Sequence, residues 1–194
     1  MTAFADFIDL QTAVVELVKR PDIADVMPRL VALAEASFNR RLRTANQMEL
    51  ADVVISGGFG DIPYGFLALI GVYDSAGQEY VAQPPQALRT IQSRGVFAIV
   101  GQKIHAAADE TLTVQFYAAI PTITGDARSS NWLLEGYPSL YLYAVAAEAA
   151  KYIGDAQLAS GLMQIAEAEY TAVIADDHGR RYERARIRVP GVTP

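Results

Sequence analysis

The run from Ser129 to Asp155, SSNWLLEGYPSLYLYAVAAEAAKYIGD, leaves the chain few folding options. Ser130 or Asn131 offers a helix N-cap, and Glu135 falls in the first turn, where a helix N-terminus favours an anion. Gly136-Tyr137-Pro138 then interrupts the pattern. Pro138 lacks an amide hydrogen and suits the first position of a new helix, so the run predicts a short helix, a kink and a long helix. The long helix is apolar almost all round: Leu140, Tyr141, Leu142, Tyr143, Val145, and Ala144, Ala146, Ala147, Ala149 and Ala150. A helix without a polar face has to be covered by neighbours, and its alanines let one of them come close. Gly154 reads as its C-terminal cap and Asp155 as the N-cap of the next helix.

That next helix is expected from about Ala156 to about Arg184, with Leu158, Leu162, Ile165, Ala166, Tyr170 and Val173 at helical spacing. A turn this tight makes the two helices antiparallel. At the other end of the chain, residues 3–19 predict a helix with Phe4, Phe7, Ile8, Val14, Val15 and Val18 as core contacts, stopped at Arg20-Pro21-Asp22. A further helix starts around Asp25 to Pro28 and runs to about Arg43, burying Leu30, Leu33, Ala34, Ser37 and Phe38.

After Asn46 the period changes. Met48–Ile55 reads as a strand ending at Gly57-Gly58, and Phe66–Tyr73 as a second. Glu79–Gln83 reads as a short strand, and Pro84-Pro85 as the start of a helical segment to about Gln92. Val96–Val100 and Lys103–Ala106 flank Gly101-Gln102, a two-residue connection suited to a hairpin. Thr111–Ile120 alternates as the last and strongest strand. The expectation is an α+β fold: mainly an α-helical bundle of four principal helices with a small antiparallel β-rich unit inserted. Residues 1–180 are read as a single domain, with helices at 3–43 and 130–184 around a β-rich insertion at 48–120, and residues 181–194 as a basic C-terminal tail.

The chain of 194 residues is long enough to bury roughly 70% of its unfolded surface without disulfides or metals. It contains no cysteine, which removes disulfide frameworks, thiolate zinc sites and cysteine nucleophiles. Asp6 and Asp9 stand where a signal peptide would need lysines and an apolar core, and no apolar stretch reaches the ~18 residues of a membrane span. A soluble protein made in the cytoplasm is expected. Net charge is −6, unevenly placed: residues 1–179 hold 11 basic and 21 acidic side chains, whereas residues 180–194 hold five arginines and Glu183. An acidic body argues against general nucleic-acid binding.

No catalytic, metal or cofactor signature stands out. Gly57-Gly58-Phe59-Gly60-Asp61 lacks the spacing of a phosphate loop and reads as a turn needing positive φ. Asp176-Asp177-His178 are adjacent on a helix, point in different directions and read as a solvated helix end. His105 sits beside a hairpin strand, surface or half-buried. Glu148, inside the apolar helix, needs an ion-pair partner; Arg40, Arg41 or Arg43 is the expected one. Trp132, Tyr137, Tyr141 and Tyr143, with Tyr152, read first as core, next as an oligomer interface, and less readily as a ligand pocket. Arg180, Arg181, Arg184, Arg186 and Arg188 are the sharpest charge feature. Arg184, Arg186 and Arg188 alternate with Ala185, Ile187 and Val189, which suits an extended segment laid on an acidic partner better than a solvated helix end or a nucleic-acid contact.

The chain resembles the head–tail adaptor (connector) proteins of tailed phages and gene transfer agents. The resemblance lies in several places in order: Ala34-Glu35 through Asn39-Arg40-Arg41-Leu42-Arg43, Ile62-Pro63-Tyr64-Gly65-Phe66-Leu67, Ile99-Val100-Gly101-Gln102-Lys103-Ile104, and Tyr117-Ala118-Ala119-Ile120-Pro121. Its most specific part is Asn131-Trp132-Leu133-Leu134 followed by Pro138-Ser139-Leu140-Tyr141-Leu142-Tyr143 and Ala147-Glu148-Ala149-Ala150. It covers roughly residues 25–182 and implies a structural virion protein rather than an enzyme. Such a protein forms a homo-oligomeric ring, a dodecamer, at the head–tail junction beneath the portal protein. It contacts neighbouring copies and the next neck or tail protein, and DNA passes through its lumen. The resemblance places portal docking in the C-terminal segment. A tail-completion or terminator protein is the alternative within this class; a ligand-binding or enzymatic domain using the aromatic pocket and Glu148 is the alternative outside it.

Overall fold

The computed structural model describes residues 3–86, 94–124, 126 and 128–182. Five α-helices are present among them: α1 (Phe7–Val18), α2 (Met27–Arg41), α3 (Trp132–Gly136), α4 (Pro138–Ile153) and α5 (Ala156–Tyr182). Seven strands lie between α2 and α3: β1 (Met48–Val54), β2 (Phe59–Asp61), β3 (Phe66–Tyr73), β4 (Val81–Ala82), β5 (Val96–Val100), β6 (Lys103–Ala106) and β7 (Thr111–Ala118). The fold is α+β. The chain forms two compact units, one of Met1–Ala45 with Ile120–Pro194 and one of Asn46–Ala119.

In the helical unit α4 is the centre, with α1, α2 and α5 packed on it. Leu140, Tyr141, Val145, Ala146, Ala149 and Ala150 are fully buried along α4. The kink is built as Pro138 dictates, with proline in the first turn of α4. Gly154 ends α4 at φ +82, and Asp155 Oδ1 accepts the Leu158 N–H 2.9 Å away, so the turn into α5 is closed at both ends. α1 is capped by Asp6, whose side chain accepts the Asp9 N–H.

Several phases differ from expectation. In α2, Leu30, Ala34 and Phe38 are buried as expected, but Leu33 is 54% exposed and Ser37 half-buried, and Val31 and Glu35 are buried in their place. Ile8 and Ile165 are likewise outward, while Leu10 is fully buried. In each case the apolar residues outnumber the seam positions, and the neighbours, not the local sequence, choose the phase.

The β-rich unit holds two sheets. A three-stranded antiparallel sheet runs β1-β7-β3, with Met48 opposite Tyr117 and Val54 opposite Thr111. A four-stranded sheet runs β2-β6-β5-β4, where the short β4 pairs parallel to β5 and the other pairings are antiparallel. The hairpin at Gly101-Gln102 forms as expected, with Gly101 at φ +62. The glycine run at 57–61 does more than turn. Gly57 and Gly58 have positive φ, but Gly60 lies in β2, where a Cβ would meet Val53 Cγ1 at 2.5 Å and the Val54 carbonyl oxygen at 2.9 Å. Its glycine serves close approach rather than a turn. The helical segment expected after Pro84-Pro85 falls largely on residues 87–93, outside the described residues.

Candidate functional site

The most elaborate chemistry of the helical unit is structural. Glu35 and Asn39 lie one turn apart on α2 and reach the strand-to-helix connection. Glu35 Oε1 accepts the Ile123 N–H at 2.9 Å, and Asn39 Oδ1 accepts the Ile120 N–H at 2.8 Å. The Tyr141 hydroxyl, in the first turn of α4, donates to Glu35 Oε1 at 3.1 Å and accepts from Asn131 Nδ2 at 2.7 Å. Asn131 Nδ2 also donates to the Pro121 carbonyl, while its Oδ1 accepts the Leu133 and Leu134 N–H groups at the start of α3. α2 is thereby tied at one buried point to residues 81–106 positions further along the chain. Burial pushes the Glu35 carboxyl above its ordinary pKa, against the hydrogen bonds it accepts, and pushes the Tyr141 phenol up with the Glu35 charge as the second cause.

Tyr141 is therefore a fully buried tie, packed edge-on against Phe38 with ring centroids 4.8 Å apart. Trp132, Tyr137 and Tyr143 are half-buried against the same core, whereas Tyr152 is 61% exposed and stands apart. The pairing expected for Glu148 is corrected. Its partner is Lys151, one turn on and 2.8 Å away, and Arg41 instead clamps Glu167 of α5 with two bonds of 2.6 Å. The Arg41 guanidinium also lies 3.8 Å over the Tyr170 ring, whose hydroxyl donates to Ser37 Oγ. The hydrogen bonds from Arg41 hold the Glu167 carboxyl below its usual range.

The last turns of α5 carry the two described arginines of the basic cluster, and both are engaged within the chain. Arg180 pairs with Asp176 at 2.9 Å, and Asp176 accepts the Tyr137 hydroxyl. Burial, with the Asp176 hydrogen bond second, pushes the Tyr137 phenol up to about 12. Arg181 pairs with Asp177 at 2.8 Å and donates to the Arg43 carbonyl at 3.0 Å, while Asp177 Oδ1 accepts the Ala45 N–H at 2.6 Å. Asp177 is 8% exposed, so the helix end read as solvated is docked on one side. Asp176 and Asp177 serve different partners, and among the described residues no three acidic or histidine side chains converge as a metal site. His105 is half-buried and stacked on Phe59 with ring centroids 4.3 Å apart. Arg184, Arg186 and Arg188 lie outside the described residues.

Within each unit the fragments that carried the resemblance come together. Glu35, Asn39, Ile120-Pro121, Asn131 and Tyr141 form the buried knot just described. In the β-rich unit the Ile62 N–H donates to the Gln102 carbonyl at 3.1 Å, and the Ala119 N–H to the Gly65 carbonyl at 2.7 Å. The family model of the SU10 adaptor protein matches residues 5–192, nearly the entire chain. The chain belongs to the SU10 adaptor family. No curated protein matches it closely. SU10 adaptor membership makes it a structural phage adaptor, a virion component that interacts with other head–tail proteins. No helix among the described residues is long and apolar enough to cross a membrane.

Proposed function

We propose that the SU10 adaptor described here is a head–tail adaptor whose copies form a ring, a dodecamer, beneath the portal. The ring extends the DNA channel and offers its far side to the next neck or tail protein. The observation that supports this reading most is the family match over residues 5–192. The charge distribution agrees with it. An acidic body repels the DNA that slides past, and a basic terminal segment can lie on an acidic portal surface.

Within that reading, portal docking rests on Arg184, Arg186 and Arg188. Arg180 and Arg181, paired with Asp176 and Asp177, hold the end of α5 from which the tail departs. Residues 1–182 then act as the adaptor domain and 183–194 as its arm, two residues later than the sequence division at 180 because Arg181 is fastened within α5. The test is binding to purified portal rings by the full chain and by a chain ending at Tyr182. Binding of the full chain with marked weakening of the shortened one is expected. Equal binding would remove the arm from the contact, and binding by neither would remove the portal.

A further inference from the structure

We propose that the open edge of β1 takes up the chain's own C-terminal segment, Arg184 to Val189, as an added antiparallel strand before the portal is met. The inference goes beyond the portal reading and needs no portal to hold; where a portal is present, it takes the arm from this edge. The Ile55 N–H donates to the Glu110 carbonyl at 2.8 Å, in the same register that pairs Val54 with Thr111. Antiparallel pairing alternates, so Glu49, Ala51 and Val53 turn their backbone groups to β7, and Met48, Leu50 and Asp52 turn theirs to the free edge. Met48, Leu50 and Asp52 are also exposed, Leu50 at 66%. The other sheet edges are blunted. β2 and β4 are three and two residues long, and β3 is broken by two register shifts and holds the Tyr80 N–H on its Val72 carbonyl. β1 keeps seven residues in unbroken register, with no proline, lysine or bulge. An edge of that kind is a template for one more strand.

The chemistry of the edge says which strand fits. The charges on β1 are Glu49 and Asp52, and no basic side chain stands on β1, β7 or β3. A fitting strand carries cations on the face of Asp52 and apolar side chains on the face of Ala51 and Val53, at a period of two. Residues 183–194 lie outside the described residues, and six of them, Arg184-Ala185-Arg186-Ile187-Arg188-Val189, have that alternation before Pro190 ends it. Laid antiparallel with Arg186 opposite Asp52, the segment sets Ile187 opposite Ala51. Arg188 then falls opposite Leu50, where its aliphatic stem covers the leucine. Asp52 Oδ1 accepts the Thr113 hydroxyl at 2.8 Å, and Oδ2 is the atom offered to the guanidinium. A slip of one residue would put the arginines on the apolar face, so charge and pleat together fix which face is which.

The experiment follows amide hydrogen exchange in the full-length protein without portal rings. With the arm in place, the outward amides of Met48, Leu50 and Asp52 are expected to exchange about tenfold or more slowly than on an open edge. Arg186→Pro removes the donor that pairs with Asp52 and should return these amides to fast exchange, whereas Arg186→Gln keeps that donor and should retain most of the protection. Circular dichroism and melting check that both variants fold. A synthetic peptide of residues 183–194 added to Arg186→Pro should restore slow exchange; a peptide of the same composition with its arginines grouped together should not. Equal exchange in the wild type and Arg186→Pro overturns the added strand. Equal rescue by the two peptides also overturns it, in favour of charge alone. Portal rings are absent throughout, so failure here leaves the portal reading to its own test.

Discussion

Glu35 shows how much one buried carboxyl can organise. Its folded pKa is raised by burial, so between the ordinary and the raised value the folded state binds more protons than the unfolded chain. Its contribution to stability therefore falls as pH rises through that window and is least favourable above it. Glu35→Gln keeps an oxygen for the Ile123 N–H and the Tyr141 hydroxyl but cannot ionise. Thermal melts from about pH 4 to pH 8 should show the wild type losing stability relative to the variant as pH rises. Parallel curves would mean that the carboxyl is not desolvated. Tyr141→Phe leaves Asn131 Nδ2 and Glu35 each short of a partner inside the core, and a loss of about 1–3 kcal/mol in denaturant unfolding is expected. Gly60→Ala is expected to cost a similar ~1–3 kcal/mol by overpacking, because backbone and Val53 already occupy the space. Unchanged stability would contradict the close approach of β2.

At the scale of elements, the helix starts and stops were legible in the sequence because they are local. Asn131, Pro138, Gly154 and Asp155 act through hydrogen bonds and backbone angles of their immediate neighbours. Which face each helix buries was legible only where apolar residues were few. α2 offers both Leu30-Val31-Ala34-Phe38 and Leu33-Ser37, and only the packing against α4 selects the first; Glu35 then falls inside. Its role, like that of Asn39, could be found only once the phase was right, since its partners are 81–106 positions away. The engagement of Arg180 and Arg181 was hidden for the same reason: a cluster of five arginines reads as one object until two are seen to fasten α5 to Arg43, Ala45 and Tyr137 through Asp176 and Asp177. Asp177→Ala leaves the Ala45 N–H and Arg181 without this carboxylate. It should free the end of α5, with amide exchange rising first near residues 43–45 and 174–182 and a cost of about 1–3 kcal/mol. Protection unchanged in both segments would show that the clasp holds nothing.

At the scale of the molecule, the proposed assembly would set an acidic body and a basic terminal arm on the portal. Two electrostatic consequences follow for different reasons. If the arm docks as proposed, arm-to-portal binding would be a contact of opposite charges and should weaken as salt rises, whereas contact between acidic copies should tighten as salt screens their repulsion. Copy number and portal affinity measured across a salt series should therefore move in opposite directions. The most direct measurement is where the protein sits in the particle. Particles labelled with an antibody fragment against this chain, imaged by electron microscopy, should carry the label in one ring at the junction between filled head and tail. A label on the capsid shell or along the tail shaft, with the junction bare, would contradict the account.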